Sequence, residues 1–151
     1  MKLNITHLHK VLLLPFPEQW LLVKVTFLLA AIWVGLRLMP FNKIYRLLVC
    51  AGGDPSRAEK FEQSYPDQVV TAIHKASRIL GENSCLSQAL AGQLLLTRHG
   101  YESKLHIGVL KENGKLYAHA WLEREGMTVI GGPESEIKRY TLLPDLDKIK
   151  L

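Results

Sequence analysis

Hydrophobic and polar positions change their spacing three times along the chain. From Pro17 to Leu38, in "PEQWLLVKVTFLLAAIWVGLRL", apolar residues are almost continuous, with charge only at Glu18, Lys24 and Arg37. Pro17 suits a first helical turn and Glu18 adds charge of the right sign there, so this stretch predicts a helix that ends before Pro40. "FNKIYRLLVC" follows with Ile44, Leu47 and Leu48 at i, i+3 and i+4, a second short helix. "AGGDPS" breaks the pattern with two glycines and a proline, and reads as a joint. Beyond it, "DQVVTAIHKASRIL" places Val70, Ile73, Ser77 and Leu80 on one helical face, closed by Gly81 as a C-cap. Asn83 or Ser84 then caps a helix from Cys85 to His99, with Gly100 in the left-handed position after it. One face of that helix carries Cys85, Ala89, Gly92 and Leu96. Three of these are small, which permits a close approach to whatever packs there.

From residue 102 the period becomes two. In "SKLHIGVL", Leu105, Ile107 and Val109 take one face and Lys104, His106 and Gly108 the other. Asn113-Gly114 is a strong hairpin signal, and "LYAHAWLE" returns as the second strand. A two-residue turn sets Gly108 opposite His119, His106 opposite Trp121 and Lys104 opposite Glu123. "REGM" turns again and "MTVI" makes a third strand, ending at Gly131, Gly132 and Pro133. The outline is α+β: N-terminal helices, then an antiparallel sheet meander. Residues 1–50 form a helical lead-in packed on a core of residues 51–151, and the length of 151 residues suits one structural domain overall.

Composition changes this picture in what it excludes. Hydrophobic residues at 48% and charged ones at 22% are ordinary for a globular chain. The net charge of +5 favours acidic partners, but the basic residues are scattered with no Lys/Arg run among aromatics, which argues against specific nucleic-acid binding. Two cysteines, Cys50 and Cys85, with no C-x-x-C, give neither a disulfide framework nor a metal-ligand spacing, so no metal or cofactor is expected. A reducing cytoplasm is the simplest location. The uncharged run Val25 to Leu36 is shorter than the roughly 20 residues of a membrane span, so a core or partner-facing helix is preferred to membrane contact at residues 20–38.

The candidate chemistry lies at Cys85 and His119. A thiol attacks as its thiolate, which the positive end of a helix favours, and free backbone N–H groups at that end can hold an oxyanion. The base must come from elsewhere in the fold. His119 in "AHAW" has alanines on both sides and Gly108 across the hairpin, which leave room around the ring. The plainer alternatives are a buried filler cysteine and a structural histidine. Cys50 reads as core, and His74 and His99 as helix-surface residues. His106 shares the Gly108 face and is a supporting candidate, while Trp121 reads as cleft wall or core.

"NSCLSQALAGQLLLTRHGYESKLHIGV" followed by "YAHAWLE" resembles the transglutaminase-like, papain-like cysteine protease fold, and within it the split-form lasso-peptide B proteins, leader peptidases of lasso-peptide biosynthesis. The N-terminal "FPEQWLLVKVTFLLAAIWVGLRLMPFNKIYRLL" resembles that family's helical lead-in. The resemblance implies a cysteine peptidase that cuts the leader from a ribosomally made precursor peptide, with Cys85 as nucleophile and His119 as general base and acid. It implies a separate leader-recognition protein, since the first 15 residues are too few for such a domain, and a neighbouring ATP-dependent lasso cyclase. It leaves two alternatives, a transglutaminase-like acyltransferase and a non-catalytic scaffold of a peptide-maturation complex. One departure stands out. The family commonly places an aspartate about a dozen residues after the histidine, and here Ile130, Gly131 and Gly132 occupy that stretch. Glu123 lies about 13 Å along the strand from His119 and has Lys104 as a cross-strand partner, so Glu134, Glu136 or a backbone carbonyl is left to orient the ring.

Overall fold

Apolar residues on two sides of one long helix determine how the N-terminal part is arranged. The structure is a computed structural model that describes residues 16–54, 64–81 and 84–144. Helix α1 (Phe16–Leu38) buries Leu22, Val25, Leu29 and Ile32 at 4% exposure or less, a stripe at i, i+3, i+7, i+10. This stripe lies on α3 (Tyr65–Leu80) and α4 (Cys85–Arg98). Pro40 then caps α2 (Phe41–Gly52), which buries Ile44 and Tyr45 and packs on α4, bringing Gly52 against Leu94 and Thr97. The joint beyond residue 54 and Asn83 lie outside the described residues.

Two helical details differ from expectation. The inner face of α3 is Val69, Ala72, Ile73, Ala76, Ser77 and Ile79, with Val70 and Leu80 only partly buried at its margin. Cys50 is exposed rather than core. Six residues after the buried Ile44, it stands about 240° further round α2, on the solvent side. The C-cap at Gly81 (φ 67°) and the left-handed Gly100 (φ 78°) are as expected.

The sheet follows from the turn chemistry. β1 (Lys104–Glu112) and β2 (Lys115–Arg124) pair antiparallel, with Gly108 opposite His119, His106 opposite Trp121 and Lys104 opposite Glu123, the register the sequence predicts. Asn113 and Gly114 both have positive φ, the geometry a two-residue hairpin needs. Glu125 and Gly126 repeat it before β3 (Met127–Ile130), which pairs with β2 across a bulge. Past the expected meander, a short helix α5 (Glu134–Ile137) leads to β4 (Thr141–Leu142), which adds to the free edge of β1 to give the order β3-β2-β1-β4. Leu105, Ala120, Leu122 and Ile130 join the helices in one hydrophobic cluster, and α4 lies against this face.

Candidate active site

Cys85 is the first residue of α4 and is partly exposed. Ser84 caps the helix: its backbone is extended, its Oγ accepts from the Ser87 N–H at 3.4 Å, and its carbonyl accepts from Gln88 N–H at 3.2 Å and from Ser87 Oγ at 2.9 Å. The first-turn N–H groups of Cys85 and Leu86 have no acceptor within the helix, so an anionic oxygen beside the thiol would meet two aligned donors.

The position of His119 relative to this helix end follows from two contacts. A Cβ added at Gly92, halfway along α4, would lie 2.5 Å from Ile130 Cδ1 and 3.0 Å from Leu122 Cδ2, so Leu122 points at the helix. The Arg124 guanidinium sits over the ring of Tyr101, just past the end of α4, at 5.3 Å. Helix and strand therefore run the same way. Seven residues back from Gly92 is about 10.5 Å of helix, and three back from Leu122 is about 10 Å of strand. The backbone of His119 thus stands level with the first turn of α4. Strand alternation carries its ring to the other face, the side of Trp121.

On that face the ring is held firmly. His119 Nε2 lies 2.6 Å from the carbonyl oxygen of Gly131. A carbonyl only accepts, so Nε2 carries the proton and Nδ1 of the neutral ring keeps its lone pair. Gly131 is 12 residues after His119, within the stretch where an aspartate was wanted, so the backbone carbonyl is the orienting group. Glu134 instead pairs with Lys138 at 3.5 Å. Tyr140, brought back by α5, packs on His119 with ring centroids 5.2 Å apart, and Trp121 stacks on the same ring at 6.2 Å. Trp121 is 4% exposed and is a buried wall. His106 stacks on Trp121 at 5.6 Å, and its Nε2 lies 3.3 Å from Glu123 Oε2. That approach is poorly aligned, and the buried Nε2 makes no hydrogen bond.

The structure therefore groups His119, Trp121, Tyr140, Gly131 and His106. Among the described residues no hydrogen bond joins the Cys85 thiol to the His119 ring. His74 is exposed, as expected. His99 is instead half-buried: its Nδ1–H donates to the Leu95 carbonyl at 2.8 Å, and its ring lies 4.1 Å from that of Tyr65. The sequence reading missed Tyr140, and its only signal was an aromatic residue after a short polar stretch. Among the described residues no group of His, Cys, Asp and Glu could hold a metal ion.

A family profile described as transglutaminase-like superfamily matches residues 21–144, most of the chain. No curated protein and no solved structure matches it.

Proposed function

The chain belongs to the transglutaminase-like superfamily, whose members are commonly cysteine peptidases or acyltransferases, and from that premise we propose that it is a cysteine peptidase that removes the leader from a ribosomally made precursor peptide of the lasso class. The observation that carries the proposal is the 2.6 Å bond from His119 Nε2–H to the Gly131 carbonyl. It leaves Nδ1 as the basic nitrogen, and it gives the ring a fixed acceptor in the stretch where the resemblance wanted a carboxylate.

In this reading Cys85 Sγ attacks the scissile carbonyl carbon, forming a C–S bond, and the thiol proton passes to His119 Nδ1. The oxyanion of the tetrahedral intermediate rests on the first-turn N–H groups of α4. The C–N bond then breaks, His119 returns its proton to the departing amine, and the core peptide leaves with a free N-terminus. Water attacks the acyl-enzyme, giving its proton to His119. The C–S bond breaks, and the leader departs with a new carboxylate as the thiol regains its proton. No hydrogen bond joins thiol and imidazole among the described residues, and the ring leaves β2 on the face away from α4, so this reading requires the ring and the first turn of α4 to meet at the end of the sheet when the peptide binds. The partners are the precursor, a separate leader-recognition protein and the ATP-dependent cyclase that consumes the new amine.

That same absence favours one second reading, a scaffold of the maturation complex that performs no cleavage. The deciding experiment mixes the protein, the candidate leader-recognition protein and a neighbouring precursor peptide, and follows the masses of the products. The peptidase reading expects two fragments that Cys85→Ala and His119→Ala each reduce by at least about a thousandfold. Cleavage that persists in Cys85→Ala, or none with all three components present, overturns it.

A further inference from the structure

Helix α1 has a second apolar stripe. Trp20, Phe27, Ala31, Val34 and Leu38 recur at alternating spacings of seven, four, three and four, with Lys24 filling the one gap, and all six are exposed. Phe27 is 74% and Leu38 78% exposed. At ~100° per residue this stripe lies directly opposite the buried Leu22, Val25, Leu29 and Ile32. So large an exposed apolar surface marks a contact surface.

Charge identifies what the stripe fits. Residues 1–53 carry six Lys and Arg against the single acid Glu18, whereas residues 54–151 carry thirteen basic and thirteen acidic residues. The whole net charge of +5 therefore belongs to the first third of the chain. Lys24, Arg37, Lys43 and Arg46 are exposed on α1 and α2. Lys24 and Arg37 lie over the rings of Trp20 and Trp33, at 5.2 Å and 4.1 Å. Tryptophan with a neighbouring cation suits the interface between lipid headgroups and acyl chains.

Helix α1 is long and apolar enough to cross a bilayer, with a mean hydropathy of 2.0 over Glu18–Leu38. Crossing would pull Leu22, Val25, Leu29 and Ile32 out of the protein core, so a membrane contact that keeps the fold intact has the helix lying on the bilayer rather than crossing it. We propose that the exposed face of α1, flanked by the basic residues of α1 and α2, docks the folded protein on an anionic lipid surface with the helix in the plane of the interface. The inference is independent of the chemistry at Cys85.

The full chain is to be sedimented with vesicles of phosphatidylcholine alone and of phosphatidylcholine with phosphatidylglycerol in equal parts. Strong binding to the anionic vesicles alone is expected, weakened at least about tenfold in high salt. Phe27→Glu and Val34→Glu each weaken it at least about tenfold without loss of circular-dichroism signal, because neither side chain is in the core. Leu116→Glu, at the hairpin tip and 70% exposed, leaves it unchanged. Failure to bind anionic vesicles at low salt overturns the proposal, and so does binding insensitive to both α1 variants. A dimer in light scattering that Phe27→Glu disperses, with no vesicle binding, would also overturn it and assign the stripe to a second copy.

Discussion

Gly131 holds the imidazole and lies where a side chain cannot. Its φ is +121°, and an added Cβ would fall 2.4 Å from Trp121 Cβ and 2.8 Å from Trp121 Cα. The second of these is backbone and cannot step aside. Gly131→Ala is therefore expected to cost about 2 kcal/mol or more of stability and to displace the carbonyl from His119. Denaturant midpoints check the first effect. Peptide-cleavage rates per folded molecule check the second, and should fall further than the loss of folded protein explains. Tyr65 gives a test in pH. Burial, with the neighbouring Tyr101 adding, pushes its phenol from 10.0 up to about 12. Below about pH 10 the group is neutral in both states. Between there and about pH 12 the unfolded chain loses the proton first, so stability falls as pH rises. Urea midpoints measured across that window should decline, and Tyr65→Phe should flatten the decline.

The elements differed in how far the sequence revealed them. The hairpin register was legible because Asn113 and Gly114 both adopt positive φ, which fixes a two-residue loop, and period two then assigns every face. On α3 the expected Ile73 and Ser77 are buried, but Val69 and Ile79 take the places assigned to Val70 and Leu80, because the members of each adjacent pair are only ~100° apart and spacing alone could not choose between them. Strand β4 left no pattern to read: it is two residues long and is held by tertiary contacts, including Leu143 N–H to the Ile107 carbonyl at 2.9 Å. Cys85 and His119 were legible as candidates from capping and strand pattern, while their companion Gly131 showed only as a missing carboxylate. The small-residue face of α4 was read correctly, and it makes a prediction. Gly92→Ala gains up to about 1 kcal/mol of helix propensity. Against this, its Cβ must displace Ile130 and Leu122, both 1% exposed or less. Overpacking of this kind costs about 1–3 kcal/mol, so a net loss near 1 kcal/mol is expected in thermal or urea unfolding.

At the scale of the whole molecule, the lead-in helix is part of the core. Leu22, Val25, Leu29 and Ile32 belong to the same buried cluster as Ile73, Leu90, Leu122 and Ile130. At about 2 kcal/mol for each buried side chain, the four contribute about 8 kcal/mol, comparable to the entire stability of a typical domain. A chain starting at residue 51 is expected to lose cooperative unfolding in calorimetry. A sharp transition from that fragment would show that the sheet and α3–α4 stand alone. The tether on His119 also bears on how the molecule behaves between encounters with substrate. A peptide oxygen offers a dipole but no full negative charge, and among the described residues no carboxylate forms an ion pair with the His119 ring. In the peptidase reading proposed above, charge separation between sulfur and ring would wait for a bound peptide to shut out water and complete the arrangement, and such an enzyme would stay idle towards polypeptides that do not fill its site.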